Sequence, residues 1–426
     1  MMRRVTLVLL CASPFVCLEA QAGRGVELGH IELTLLDAHA TGYGTFQSHN
    51  QKVVANRRGI FTSHIRTRNE AYSAQQWRLS WSRDGGKTFT TLYEATHATN
   101  PPALETDADD NLYLVRPDFA DGNSYLYRFL SVNDYRDPAI TTIPASMHGK
   151  FCLRLDPPRT QLYFLSANNT FAVVGTDGVR RRSLQLLQQG PHAALQYPQL
   201  DLDTDGTLYA AWTTQKHGVY LYWDIHCMKS RDGGATWETL TGQPLTGQPL
   251  TPPIVADDTG PTDRITLDDE FDVHTWLSSF MAKDGKLHFL YQAQTQPMAR
   301  QHYVRYDIPT GKKDLDTQPR FGGQTISINR LDGFFAADRG KPGTPLYCVA
   351  SDLTHSKQLA CVVSRDNGGT WHDHARSTAE SDVMYAIGGC RDLTRDGFIL
   401  GTFTDAPSGG NSANVPVQFF RVPKSP

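Results

Sequence analysis

Charge of one sign is what this chain lacks. Its 41 Lys and Arg face 44 Asp and Glu, a formal net charge of −3, and the sequence pI is near 6.6. That balance leaves no basic footprint and argues against nucleic acid as a partner. Cysteine is scarce too, seven in 426 residues, with no Cys-x-x-Cys or Cys-x-x-His spacing to hold zinc. Cys11 and Cys17 fall in a leading apolar stretch, which leaves Cys152, Cys227, Cys348, Cys361 and Cys390, an odd number. A disulfide scaffold is thereby excluded. Cys348 and Cys361 are placed to oppose each other across a hairpin, either bonded or as buried thiols.

Long hydrophobic runs are absent beyond the first residues, so no membrane span is expected. The leading stretch from Val5 to Leu18 follows Arg3-Arg4 and precedes Ala20-Gln21-Ala22. It is too short to cross a bilayer and has the layout of an export signal. The expectation is a signal peptide over 1–22 and a secreted, periplasmic or extracellular mature chain after cleavage near Ala22. Helical periodicity is nearly missing as well, whereas 35 Gly and 24 Pro punctuate short β-rich runs.

What is present is repetition. "SRDGGKTF" (82–89), "SRDGGATW" (230–237) and "SRDNGGTW" (364–371) share Ser-Arg-Asp, a glycine turn, then Thr and an aromatic. The Asp carboxylate can accept backbone N–H groups across such a turn, and glycine supplies the positive φ. A second repeat covers more chain: "ANRRGIFTSH" (55–64), "DADDNLYLVR" (107–116), "PRTQLYFLS" (158–166), "DTDGTLYAAW" (203–212), "AKDGKLHFLY" (282–291), "GTPLYCVA" (343–350) and "TRDGFILGT" (394–402). Each is a turn entering a strand. The three Ser-Arg-Asp segments resemble the Asp-box (BNR) repeats of the sialidase-like β-propellers, and the seven hairpins fit that resemblance. The expected fold is all-β, a single-domain β-propeller over 27–424 with seven four-stranded blades. Six blades is the alternative if 158–166 is irregular. "HIELTLLDA" (30–38) is expected to close the ring on the last blade.

Aligning the hairpins separates scaffold from site. One column reads Phe61, Tyr113, Tyr163, Tyr209, His288 and Tyr347, a repeated large ring suited to packing between blades. Three positions on, the column reads His64, Arg116, Ser166, Trp212, Tyr291 and Ala350, with no common character. Starts of inner strands vary too, through His49, Pro101, Tyr197 and Trp276. Antiparallel geometry puts inner-strand starts and second-strand ends on one face of the disc. The site is expected there, and the Ser-Arg-Asp carboxylates Asp84, Asp232 and Asp366 on the other.

That face collects the candidates. His49 and His64 flank the first hairpin and are expected to meet at its open end as acid/base groups, with Arg116 or Arg128 clamping a substrate carboxylate. Substrate contacts are expected from Asn100, Gln196, Tyr197, Trp212, His217, Tyr222, His226, Glu270, His274, Trp276 and Tyr291. Glu270 lies in "DDEFD" (268–272), which is either a solvated loop or a source of general acids. His226 beside Cys227, or "HDH" (372–374), is a possible fragment of a metal site whose other ligands the sequence leaves unspecified. No cofactor is implied, and a structural metal ion stays open.

Sialidases begin their arginine triad with Arg-Ile-Pro on the first inner strand. Here that strand carries "SHNQKVV", and Arg-Ile-Pro occurs nowhere. The chain is more similar to the branch of the superfamily that includes ulvan-lyase-like, polysaccharide-active propellers. That resemblance implies an enzyme cleaving an acidic, uronate-containing glycan, with histidine as acid/base and arginine at the carboxylate; a monomer is expected. A glycoside hydrolase using loop carboxylates and a non-catalytic glycan-binding propeller are the alternatives.

Overall fold

The computed structural model describes residues 28–66, 75–118, 121–144, 150–242, 249–267, 273–294, 299–325, 332–351, 358–378, 381 and 384–424. The expected signal peptide lies outside these residues. Seven sheets of four antiparallel strands follow one another along the chain, the sixth extended by a short parallel strand, Gly29–His30, with inner strands Val53–Asn56, Ala103–Thr106, Phe151–Asp156, Ala193–Leu202, His274–Lys283, Phe334–Ala337 and Met384–Gly389. These are blades 1 to 7 of a β-propeller. The hairpin at 158–166, the weakest of the repeats, is regular: Phe151–Asp156 pairs with Gln161–Ser166 from end to end.

Burial explains the strand composition. A blade is covered on both faces by its neighbours, so its inner strands read apolar without alternation. Phe151–Asp156 and Leu346–Ser351 are buried at every position. Outer strands alternate instead, as in Arg180–Gln185, where arginines face solvent. The cores lie between blades. Tyr163 and Phe171 of blade 3 pack with Leu195, Trp212 and Met228 of blade 4. The aromatic column serves this packing: Phe61 stacks on Trp81 at 5.4 Å, and Tyr163 on Phe171 at 6.0 Å. His288 takes the same place, bonded through Nδ1 to the Tyr303 hydroxyl at 2.7 Å. Burial draws its pKa down to about 3.

The three Ser-Arg-Asp turns are built alike, each following a third strand and, in blades 1 and 6, leading straight into the fourth. Ser82 Oγ donates to Asp84 Oδ1 at 2.8 Å and accepts the Gly86 N–H at 2.8 Å, while Thr88 donates N–H and O–H to the same carboxylate. Asp232 and Asp366 are held in the same way by Thr236 and Thr370. Every oxygen is engaged, as scaffold requires.

The ring closes as the sequence suggests. Glu32–Thr41 is the outer strand of blade 7, antiparallel to Ala413–Val422, with Leu33 opposite Phe420. Closure removes the open edges a linear sheet would expose. Cys348 and Cys361 sit on neighbouring strands but out of step: Cys348 opposes Val362 and Cys361 opposes Val349. They therefore face opposite sides of the sheet, and all five described cysteines are free thiols.

Where the inner strands end, charges alternate around the axis. Arg391 meets Glu105 at 3.2 Å, Glu105 meets Arg154 at 3.6 Å, and Arg154 meets Asp201 at 3.1 Å. Asp201 then meets Arg339 at 2.7 Å, and Arg339 meets Asp392 at 2.9 Å. This chain of ion pairs ties together blades 2, 3, 4, 6 and 7 on the side of the disc opposite the inner-strand starts. No described helix is long and apolar enough to cross a membrane.

Candidate functional site

All seven inner strands start on one face, so the segments just before them converge there. They form a cavity of about 460 Å³, lined by Tyr43, Phe46, Gln47, Ser48, Lys150, Tyr197, Tyr220, Tyr222, Trp276, Asp332, Tyr385, Ala386 and Gly409. Three lining residues that are not glycine have left-handed backbones: Gln47 at φ 59°, Tyr197 at 44° and Ala386 at 56°. Such conformations cost about 1–3 kcal/mol each and persist where the surroundings impose them. Two coincide with bulges, where pairing slips between Gln196 and Gln199 and between Tyr385 and Gly388. A bulge re-aims its side chain. Here it turns Tyr197 into the cavity.

Lys150, at the threshold of blade 3, is the cation of this lining. Its Nζ bonds Gln196 Oε1 and lies 3.5 Å from the Tyr222 hydroxyl. It also sits 4.5 Å above the Tyr197 ring. Burial without a carboxylate among these contacts lowers its pKa to about 8. The Tyr197 and Tyr222 hydroxyls are 3.4 Å apart. Burial raises both phenols above their ordinary value, so both stay protonated. His274 stacks on Trp276 at 4.9 Å and accepts the Tyr222 backbone N–H at Nδ1. In the neutral ring the proton is therefore on Nε2.

The structure thus gathers Gln196, Tyr197, Tyr222, His274 and Trp276 from among the expected residues. His49 stands behind them, its ring edge-on to Tyr197 at 6.1 Å. Its Nε2 meets the Phe151 carbonyl at 3.2 Å, which fixes the proton there, and Nδ1 is buried with no partner. Burial, aided by the Lys52 cation, lowers its pKa to about 3. His217 bonds the Gly190 carbonyl at 3.0 Å and lines a neighbouring groove with Gln196, Gln215, Lys216 and Tyr220.

Other candidates lie elsewhere. His64 does not bond His49. Regular pairing stops at Val53 opposite Thr62, and residues 47–50 turn away towards blade 3, where Asn50 Nδ2 donates to the Phe151 carbonyl at 2.7 Å. His64 instead reaches Asp37 Oδ2 at 3.3 Å, fully buried. Burial alone would raise the Asp37 pKa, but the His64 and His39 hydrogen bonds and Arg66 outweigh it and hold the carboxyl far below its usual range. Arg116 is engaged by Tyr127, Asp118 and the His97 carbonyl. Arg128 ends a third strand, on the face away from the cavity, and donates to the Thr176 carbonyl at 3.1 Å. Neither arginine lines the cavity.

Trp212 and His226 stack on each other inside blade 4, where Trp212 Nε1 donates to the Ala256 carbonyl and His226 Nδ1 meets Thr262. They anchor the long insertion. Tyr291 stacks on His302 at 4.6 Å, fully buried. Asn100 is nearly buried before the blade 2 inner strand, outside the lining. Glu270, with Asp268, Asp269 and Asp272, lies outside the described residues.

Among the described residues neither metal fragment gathers further ligands. His226 and Cys227 are adjacent in a strand and so point to opposite faces, while His374 Nε2 is bonded to the Pro423 carbonyl. The one described grouping with metal-ligand spacing is His192, Asp257 and Asp258. There the Asp257 carboxylate already accepts N–H groups of His192, Ala193 and Thr259.

Lys150, Tyr43, Phe46, Tyr220, Asp332 and Tyr385 were not anticipated. For Lys150 a signal existed, because it immediately precedes an inner strand. Its hairpin, however, was the weakest copy of the repeat.

No protein-family model and no curated protein matches the sequence. Solved structures do. One is a PL25 polysaccharide lyase, ulvan lyase, bound to -[GlcA(1-4)Rha3S]-, with a TM-score of 0.63 and 8% identity over 92% of this chain and 96% of that one. Another is the polysaccharide lyase Uly1, with a TM-score of 0.53 and 9% identity over 94% and 100% of the two chains. At these identities the likeness is one of fold, a β-propeller shared along nearly the whole chain.

Proposed function

We propose that this protein cleaves an acidic, uronate-containing glycan by β-elimination in the cavity around Lys150. The observation that carries the reading is a half-dry ammonium with a pKa near 8, held by an amide and a phenol and set among aromatic rings. Elimination at a uronate removes the proton beside the carboxylate and expels the oxygen across the new double bond. A base is best matched when its pKa is near the working pH. Lys150 meets that condition, with about one molecule in ten neutral a unit below its pKa. His49, near 3, is a far weaker base, and its proposed part is to back Tyr197.

The two phenols, kept protonated by burial, suit the complementary task. They can donate to the carboxylate as charge spreads onto it, and to the departing glycosidic oxygen. Trp276, Tyr220 and Tyr385 offer ring faces for sugar packing, and the adjoining groove past Gln196, Gln215 and His217 provides room for further sugar units. The ulvan lyase neighbour, bound to a glucuronate-bearing repeat, makes such glycans the first to try.

Hydrolysis by paired carboxylates is the alternative: it requires two acidic groups, of which the described lining supplies Asp332, while Asp268, Asp269, Glu270 and Asp272 lie outside the described residues. The test is digestion of uronate-rich polysaccharides followed by ultraviolet absorbance. The unsaturated product is expected from the unaltered protein and not from Lys150→Met. Reducing ends appearing without that absorbance overturn elimination, and binding without any product indicates a glycan-binding propeller.

A further inference from the structure

A second concavity is larger than the one above. A cleft of about 800 Å³ opens on the opposite face, between the hairpin turns of blades 7, 1 and 2. Its walls carry five arginines, Arg57, Arg58, Arg83, Arg395 and Arg421, against three aspartates, Asp107, Asp110 and Asp396. With Asp134 and Glu32 at its edge the carboxylates equal the arginines in number, so what matters is which arginines are left unpaired.

Three of the arginines are engaged: Arg57 with Asp110 at 2.8 Å, Arg58 with Asp134, and Arg421 with Glu32 at 2.7 Å. Arg83 and Arg395 are exposed and have no carboxylate partner among the described residues. The Arg83 guanidinium lies 3.8 Å over the Trp81 ring. Arg421 lies 4.7 Å over Phe398 in the same way. Stacked guanidinium groups present their N–H edges in fixed directions, which suits carboxylate and sulfate oxygens. Between these walls Leu393 and Phe398 offer partly exposed apolar surface over the buried Ile60 and Leu400, and Asn56, Thr106 and Thr394 add polar groups.

We infer that this cleft is a second binding site, for a saccharide carrying carboxylate or sulfate groups. The partly exposed Leu393 and Phe398 side chains accept the C–H face of a sugar ring, and Arg83 and Arg395 take the anionic substituents. A nucleic acid is less well matched, since two unpaired arginines neutralise few phosphates. The inference does not rest on the proposed catalysis, because the two sites share no residue and lie on opposite faces.

The test is calorimetric titration at low and at physiological salt. The probes are a sulfated hexasaccharide, a uronate hexasaccharide, inorganic sulfate and a single-stranded oligodeoxynucleotide. At least one hexasaccharide should bind the unaltered protein, and which one does identifies the anion. Its affinity should fall at least tenfold in the Arg83→Gln/Arg395→Gln variant, and binding without turnover should persist in Lys150→Met. Both substituted arginines are exposed, and an unchanged melting temperature shows that the fold is intact. Equal affinity of the double variant and the unaltered protein overturns the proposal. So does inorganic sulfate binding as tightly as the hexasaccharide, or the oligodeoxynucleotide binding more tightly than either sugar. Loss of binding in Lys150→Met alone returns the ligand to the first cavity.

Discussion

At the scale of single residues, the lysine at the mouth of blade 3 carries most of the chemistry. Its ammonium is lowered to a pKa of about 8 by burial, so the neutral base is the minor form at pH 7 and the major form above pH 8. The rate parameter kcat/KM should therefore rise with pH and level off above about 8. Lys150→Arg keeps the charge but cannot lose a proton in this range, so it should fail to rescue. A loss of about 10²–10⁴ in kcat is the size expected for removing a general base, and stopped assays across pH 6–10 measure it. A profile that instead falls above pH 8 gives the ammonium form the working role and contradicts the base assignment. The residue scale is also where sequence reasoning was least complete. Tyr197 and Trp276 were legible because they break a repeated column, and Tyr222 and His274 because they stand in polar, aromatic segments on the same face. Lys150 was not, since its blade has the faintest hairpin. The meeting of His49 and His64 was misjudged because hairpin register was extended past its last pair, Val53 with Thr62.

At the scale of elements, two features link strands to the cavity. Gly388 ends the bulge in the blade 7 inner strand, and a Cβ there would stand 2.3 Å from the Ser48 carbonyl oxygen. Gly388→Ala should displace the 47–50 segment, destabilise the fold by about 1–3 kcal/mol as other overpacking does, and reduce activity. Urea unfolding and the product assay read the two effects. The aromatic column makes a pH prediction. His288 is held neutral with a pKa near 3 against an ordinary 6.5, and His49 is shifted likewise. The unfolded chain then binds more protons between these values, so stability should fall as pH drops from about 6.5 towards 3 and stay level on this account above 6.5. In His288→Asn, which removes one such group, the acid loss should be shallower in urea titrations at successive pH values. The column itself was readable from sequence. Arg128 was placed on the wrong face for an equally simple reason: a third strand runs parallel to the inner strand and ends where it ends, away from the cavity.

At the scale of the whole molecule, the propeller is stated by its repeats. Seven turn-strand patterns give seven blades, and the leading β-rich segment supplies the strand that closes the last one. What the repeat could not reveal is the chain of ion pairs where the inner strands end, because Glu105, Arg154, Asp201, Arg339 and Asp392 come from blades far apart in sequence. Each charge there depends on its neighbours. Asp201→Asn leaves Arg154 and Arg339 less compensated, and breaking such a buried pair costs about 3–5 kcal/mol. Chemical denaturation should show that loss, and an unchanged midpoint would mean the ring contributes no net stability. The two concavities divide the disc by chemistry as well as position, phenols with a lysine on one face and arginines on the other.

The most direct test of this account follows the appearance of an unsaturated uronate in the ultraviolet. Uronate-rich polysaccharide is incubated with the unaltered protein and with Lys150→Met. The account predicts steady growth of absorbance with the first and none with the second, at equal melting temperatures. Equal growth with both, or release of reducing ends with no absorbance from either, would contradict it.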